Sequence, residues 1–104
     1  MSEIPIACNL DVFTDTDHTR HMQVSDQWHS AIREVVDIPQ GYAFRFEPDS
    51  DMLVLLAEFI SRERLCCPFF HFELILEPGG PLWLRLMGDE RVKQFLDHEI
   101  KALL

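Results

Sequence analysis

Apolar side chains recur at spacings of three and four in three stretches of the chain, which is the pattern of helices that bury one face. The first stretch spans residues 16–36, the second opens with Asp49 or Ser50 as its N-cap, and the third follows Asp89. The three stripes are His21, Val24, Trp28, Ile32 and Val35; Met52, Leu55, Leu56, Phe59 and Ile60; and Val92, Phe95, Leu96, Ile100 and Leu103. The spacing therefore predicts three amphipathic helices.

Three other stretches alternate between apolar and polar side chains, as half-buried strands do, and a fourth, residues 4–10, is a short apolar run that is also expected to form a strand. The alternating stretches are residues 42–47, 69–77 and 82–87, and the last two flank Pro78-Gly79-Gly80-Pro81, which is a hairpin-loop sequence. The resulting order β-α-β-α-β-β-α predicts an α+β fold, with a mostly antiparallel sheet and with helices packed on one face. At 104 residues, without a linker or an internal repeat, the chain is expected to form a single domain over residues 1–104.

The two faces of the predicted sheet differ in what can cover them. One face carries rows of Phe and Leu, which the helices are expected to bury. The other face carries Phe69, Ile75, Trp83 and Met87 among charged side chains, which is apolar for a solvated surface. We therefore expect this second face to pair with another copy of the chain in a homodimer, or to be covered by a helix.

Charge and composition argue against several classes of function. The formal net charge of −9 disfavours a nucleic-acid partner and docking on an anionic membrane, because both depend on clustered Lys and Arg. No stretch approaches the ~20 apolar residues that span a bilayer, and residues 1–5 do not open a secretory signal. Three cysteines, two of them adjacent, do not form the even framework of a secreted disulfide domain. We therefore expect a cytoplasmic protein with reduced thiols.

Candidate chemistry concentrates where the second helix ends, at Cys66-Cys67-Pro68. Continuing the helical stripe places Glu63 directly before Cys67, so a carboxylate shares the face that the helix buries. The negative end of the helix dipole raises thiol pKa values, and adjacent cysteines lack the C-x-x-C spacing of thioredoxin-like proteins. A bridge between neighbouring cysteines would also close a strained ring. A redox role for this pair alone is therefore disfavoured.

Cys8 is the residue that can complete a site with this pair, because adjacent side chains diverge and do not easily hold one small ion. If the first strand lies beside the third, Cys8 converges on Cys66 or Cys67. Two or three thiolates favour a soft ion such as Cu(I) or Hg(II), and zinc fits less well because no structural zinc spacing is present. The candidates for a further ligand, or for a group that orients one, are Glu63, His21 and His71. The competing interpretation is that the cysteines are buried and act as small hydrophobic side chains.

The run Glu63-Arg64-x-Cys66-Cys67-Pro68-Phe69-x-x-Phe72, followed by Pro81-Leu82-Trp83-Leu84-Arg85-Leu86-x-Gly88 and a short helix, resembles a group of small, functionally uncharacterised bacterial proteins. Members of that group also tend to carry an early cysteine, here Cys8, and a Gly-Tyr pair, here Gly41-Tyr42. The resemblance covers most of the chain, although Met87 stands where a threonine is expected. Some members are encoded near metal-responsive regulators or mercury-resistance genes, so the resemblance implies thiol–metal chemistry but no established activity.

These observations rank three functions. The first is cytoplasmic, thiol-dependent binding or handling of a soft metal ion through Cys8, Cys66 and Cys67. The second is a homodimeric interaction module that uses the second sheet face and has structural cysteines. The third is a small thiol enzyme with Cys67 as the nucleophile and with Glu63 or His71 as the base.

Overall fold

The structure, a computed structural model, describes residues 8–103 of the chain and the side chains of residues 8–100. After a 3-10 turn at Leu10–Val12, the helices are α1 (Asp15–Ser30), α2 (Ser50–Cys66) and α3 (Glu90–Leu103), and the strands are β1 (Glu34–Ile38), β2 (Gly41–Phe46), β3 (His71–Leu76) and β4 (Leu82–Met87). In chain order they are α1, β1, β2, α2, β3, β4 and α3. Within this part of the chain, no helix has the length and apolar character needed to cross a membrane.

The four strands form one antiparallel sheet in the order β1-β2-β4-β3. β3 and β4 form the predicted hairpin, whose loop holds Gly79 and Gly80 at φ values of 76° and 84°, which residues with a Cβ rarely adopt. Gly41 is required where β2 meets β4, because a Cβ there would lie 1.9 Å from the carbonyl oxygen of Leu86. The predicted α+β class with an antiparallel sheet is confirmed.

One face of the sheet and the three helices enclose the hydrophobic core. β2 and β4 contribute a continuous apolar surface, because their alternate side chains are paired in register. The buried members are Tyr42, Phe44, Phe46, Leu82, Leu84 and Leu86 of the sheet, Val24 and Trp28 of α1, Leu56 and Phe59 of α2, and Val92, Leu96 and Ile100 of α3. The packing of the helices on the Phe and Leu rows agrees with the prediction.

The segment that follows α1 differs from the prediction. The spacing predicts a helix that continues through Val35, but α1 ends at Ser30 and Val35 lies in β1. Val35 and Val36 are β-branched and pair with β2 across a tight turn, so the sheet edge outweighs a weak helical pattern. The start of the helix, at Asp15, lies one residue before the predicted start, and Thr14 caps it by accepting a hydrogen bond from the Asp17 N–H at 3.1 Å.

The predicted N-terminal strand over residues 4–10 lies mostly outside the described residues. Within them, Cys8 and Asn9 belong to neither a helix nor a strand, and Leu10 begins the 3-10 turn. The Asn9 backbone N–H donates a hydrogen bond to the carbonyl oxygen of Cys66 at 2.7 Å. This segment is therefore attached to the end of α2.

The second sheet face carries three of the four apolar side chains expected there. Ile75, Trp83 and Met87 are half-buried and lie among charged residues. Phe69 instead precedes β3 and packs against Phe95 of α3, with ring centroids 5.6 Å apart, so it belongs to the helix-covered side. Pairing of the second face with another copy of the chain stays a prediction.

A charged network joins α1 to α2. Glu58 accepts hydrogen bonds from Arg20 at 2.7 and 2.8 Å, and from Arg62, which follows it by one helical turn. These guanidinium groups, Arg20 above all, lower the pKa of the Glu58 carboxyl from 4.5 to about 2. The network therefore stabilises the fold above pH 4.5, and this contribution is lost as the pH falls towards 2.

We predict that Glu58→Gln lowers the free energy of unfolding by about 1–2 kcal/mol at pH 7, because it removes the charge from partly exposed, charge-assisted hydrogen bonds. The difference from the unmutated protein should shrink below pH 4.5 and vanish near pH 2. Urea unfolding over this pH range measures it, with Glu77→Gln, at an exposed position, as the matched control. An equal loss at neutral and acidic pH would contradict this account of Glu58.

Candidate functional site

The last turn of α2 places a carboxylate beside two cysteines. Cys66 and Cys67 follow Glu63 by three and four residues, a spacing that puts the side chains on one side of a helix. The helix ends here because Pro68 cannot continue it, and the N–H of Cys67, the C-cap, donates a hydrogen bond to the Glu63 carbonyl at 2.7 Å. The predicted alignment of Glu63 with Cys67 is therefore present.

Cys8 reaches the same place from the N-terminal part of the described chain. It forms a disulfide with Cys67, 59 residues away, and the two Cα atoms are 4.7 Å apart. The predicted convergence of Cys8 on the pair is confirmed, but the expectation of reduced thiols is wrong for these two residues. The route also differs from the expected strand pairing, because the hydrogen bond from Asn9 to Cys66 holds Cys8 at the helix end.

Four side chains bring potential metal-binding atoms within 4.8 Å of one another, namely Cys8, Glu63, Cys66 and Cys67. The Cys66 thiol donates a hydrogen bond to Glu63 Oε1 at 3.1 Å. The same oxygen lies 3.2 Å from Cys67 Sγ, which carries no proton while it is bonded to Cys8. Because the Cys66 and Cys67 sulfurs are 3.6 Å apart, one carboxylate oxygen faces both of them.

The surroundings of Cys66 oppose its ionisation. Its side chain is 1% exposed. Burial, followed by the hydrogen bond to Glu63 and the charge of that carboxylate, raises the pKa of the Cys66 thiol to about 12. A thiol with this pKa is almost wholly protonated at neutral pH and is a poor nucleophile. This rise in the thiol pKa has the direction that is expected at a helix C-terminus.

Of the two histidines suggested by the sequence, His21 reaches the cluster and His71 does not. His21 is buried in α1 and stacks on Phe59, with ring centroids 5.4 Å apart, and its Nε2 lies 3.5 Å from Glu63 Oε1. Its Nδ1 has no hydrogen-bond partner among the described residues. His71 is exposed on β3, where its Nε2 lies 3.6 Å from Glu73 Oε2. His21 is therefore placed to orient Glu63.

The cluster forms one wall of a cleft of about 540 Å³. Cys8, Glu63 and Cys67 belong to this wall. The rest of the lining includes five large aromatic side chains, namely Trp28, Phe44, Phe59, Phe70 and Phe95. Sulfur donors and an apolar cavity are thus adjacent.

His29 also lines this cleft, although its position on the helix suggests a solvated side chain. It is half-buried, and burial lowers its pKa from the usual 6.5, an effect that the charges of Asp26 and Glu63 partly oppose. The sequence contains one indication of this position. His29 follows His21 by eight residues, about two helical turns along α1, so the two side chains lie towards the same side of the helix.

No family model, curated protein or solved structure matches this chain. The chemistry of the cluster is therefore argued from its own residues. Three sulfurs and one carboxylate form a donor set suited to soft metal ions. Two of those sulfurs are joined in the disulfide, so reduction is needed before all three can act as ligands.

We predict that breaking the Cys8–Cys67 bond lowers the free energy of unfolding by about 2–4 kcal/mol, because the bond constrains a long loop in the unfolded chain. Urea unfolding before and after reduction measures the loss, and Cys8→Ser should reproduce it. Cys66→Ser is the matched control, because Cys66 is outside the bond, so reduction should still lower the free energy of unfolding of this variant by the same amount. Peptide mapping under non-reducing conditions that finds no such linkage would overturn the assignment.

Proposed function

We propose that the reduced protein binds a soft metal ion, Cu(I) or Hg(II), through the sulfurs of Cys8, Cys66 and Cys67. The observation that carries this proposal is the convergence of donor atoms, from two segments far apart in the sequence, to within 4.8 Å. A carboxylate and thiols removed from water are costly unless a partner compensates them, and a bound cation supplies that partner. The resemblance of this run of residues to proteins encoded near mercury-resistance genes supports the same proposal.

The geometry favours a three-sulfur site over a zinc site. Three coplanar sulfurs at ~2.3 Å from one ion, a metal–sulfur distance known from zinc proteins, are about 4 Å apart. The sulfurs of Cys66 and Cys67 are 3.6 Å apart, close to this separation, and the Cys8 sulfur, which is bonded to that of Cys67, would move away from it after reduction. Structural zinc sites use four Cys and His ligands, whereas the fourth donor atom here is a carboxylate oxygen of Glu63, because the imidazole of His21 contacts Glu63 and not a sulfur.

Glu63 prepares this site for a cation. Its Oε1 accepts a hydrogen bond from the Cys66 thiol. The same oxygen is therefore placed to accept the thiol proton when the sulfur binds the ion. Its negative charge offsets part of the cost of burying a positive ion. His21, 3.5 Å from the same oxygen, holds the carboxylate in place.

The disulfide makes this binding depend on reduction. Two electrons and two protons, delivered by a thiol reductant that is itself oxidised to a disulfide, convert the Cys8–Cys67 bond into two thiols. Before that step, Cys66 and Glu63 are the cluster residues left to act as ligands, and we expect weak binding. The proposal therefore includes a reducing compartment such as the cytoplasm.

We predict that the reduced protein binds one equivalent of Hg(II) at least about 100-fold more tightly than the oxidised protein, because reduction raises the number of available sulfurs from one to three. Competition with iodide, a ligand of Hg(II) that does not reduce the disulfide, followed by ultraviolet thiolate–metal absorbance, measures both affinities. Cys8→Ser and Cys67→Ser should each weaken binding to the reduced protein. Met22→Ser, which removes an exposed thioether on α1, is the matched control and should not. Equal and weak uptake by all these proteins would exclude the proposed site.

One observation also supports a small thiol enzyme. After reduction, Cys67 would face the cleft with Glu63 Oε1 3.2 Å from its sulfur, as a nucleophile beside a base. Its place at the negative end of α2 opposes this role, because the dipole disfavours the thiolate. Rapid, pH-dependent alkylation of Cys67 in the reduced, folded protein would favour the enzyme, and alkylation that requires denaturant would exclude it.

A further inference from the structure

The cleft beside the cysteines has the size and lining of a site for a small organic group. Its volume of about 540 Å³ lies within the ~300–1,000 Å³ range of small-molecule pockets. An apolar cavity of ~150 Å³ is already enough for benzene. Since Cys8 and Cys67 form part of the wall, a metal ion bound to their sulfurs would lie at the edge of this aromatic space.

The charged members of the lining disfavour an anionic ligand. Glu63 and Glu99 are acidic, and burial holds His29 towards its neutral form by lowering its pKa. The formal net charge of −9 adds repulsion at longer range. A fatty acid or another apolar anion is therefore a poor occupant, whereas an apolar cation is favoured.

Trp28 adds a preference within this apolar class. It lines the cleft, and the rings of Phe44 and Phe59, which also line it, meet the indole edge-on with centroids 5.4 and 5.0 Å away. A further aromatic ring in the cleft can pack against these rings in an edge-to-face or offset-stacked geometry, and a saturated alkyl group lacks this specific attraction.

We propose that this site takes an organometallic cation, a soft metal ion that carries one aryl group, with the metal on the cysteine sulfurs and the ring in the aromatic cleft. The inference rests on the proposed metal binding and adds the class of substrate.

Binding is a ligand exchange without oxidation or reduction. A thiol of the reduced cluster, on Cys8 or Cys67, forms a sulfur–metal bond while the bond between the metal and its leaving anion breaks. The thiol proton goes to that anion. With phenylmercuric acetate, the products are the protein–S–Hg–phenyl adduct and acetic acid, and the carbon–metal bond stays intact.

The test compares phenylmercury with methylmercury, each in competition with free cysteine, on the reduced protein. We predict that the affinity ratio, phenyl over methyl, is at least about tenfold, because the ring buries more apolar surface in the cleft. Ser25→Trp introduces a bulky side chain at a half-buried lining position of α1 and should reduce the ratio towards one. Gln27→Trp, at an exposed position of the same helix, is the matched control and should preserve it.

The outcomes separate this inference from the proposal on which it rests. Binding of Hg(II) with equal affinity for the two organic forms overturns the inference and leaves metal binding intact. Failure to bind Hg(II) or either organic form overturns both. A ratio that is as high in Ser25→Trp as in Gln27→Trp places the ring elsewhere and also overturns the inference. If Ser25→Trp does not fold, as judged by circular dichroism, a crystal structure of the phenylmercury complex decides by showing whether the ring lies in the cleft.

Discussion

The burial of one face of α2 against the sheet is the constraint on which both the core and the candidate site depend. Leu56 and Phe59 pack into the core, and the helical period carries Glu63 and Cys66 onto the same side one and two turns later. Rotating the helix would move apolar side chains into water, at a cost of about 25 cal/mol for each Å² exposed. The arrangement of the thiols and the carboxylate is therefore held by packing outside the cluster.

This position is unfavourable for the polar groups that it holds. The Glu63 side chain is 16% exposed, and burial and this carboxylate raise the pKa of the Cys66 thiol to about 12, which keeps the thiol neutral. His21 is buried in the same region, and its Nδ1 finds no partner in the described part of the chain. Groups that are costly for folding are concentrated at binding and catalytic sites, where a ligand compensates them. This is the physical reason for interpreting the cluster as a site and not as core packing.

The local part of this arrangement follows from the sequence, whereas the non-local part does not. A spacing of four puts Glu63 beside Cys67 on any helix, so that prediction needs no knowledge of the fold. The bond to Cys8 depends on how the N-terminal segment crosses the end of α2, which periodicity does not encode. The helical pattern does not predict β1, because Val35 continues the apolar stripe of α1. The pairing of β1 with β2 is a tertiary contact, which this pattern does not contain. The helical position of His29 suggests a solvated side chain, but it is half-buried, because several elements together form the cleft that it lines.

Under the proposed function, a metal ion and the disulfide compete for the sulfurs of Cys8 and Cys67, so each state excludes the other. An ion that binds only the reduced form stabilises that form by about 2.7 kcal/mol at 100 times its Kd. For a two-electron couple this corresponds to about 60 mV, so a loaded site resists oxidation. The oxidised protein, in turn, resists loading. Either state joins the N-terminal segment to the end of α2, because the ion bridges the same two sulfurs that the disulfide links. The cross-link that stabilises this end of the fold therefore persists, in a different chemical form, when the redox state changes.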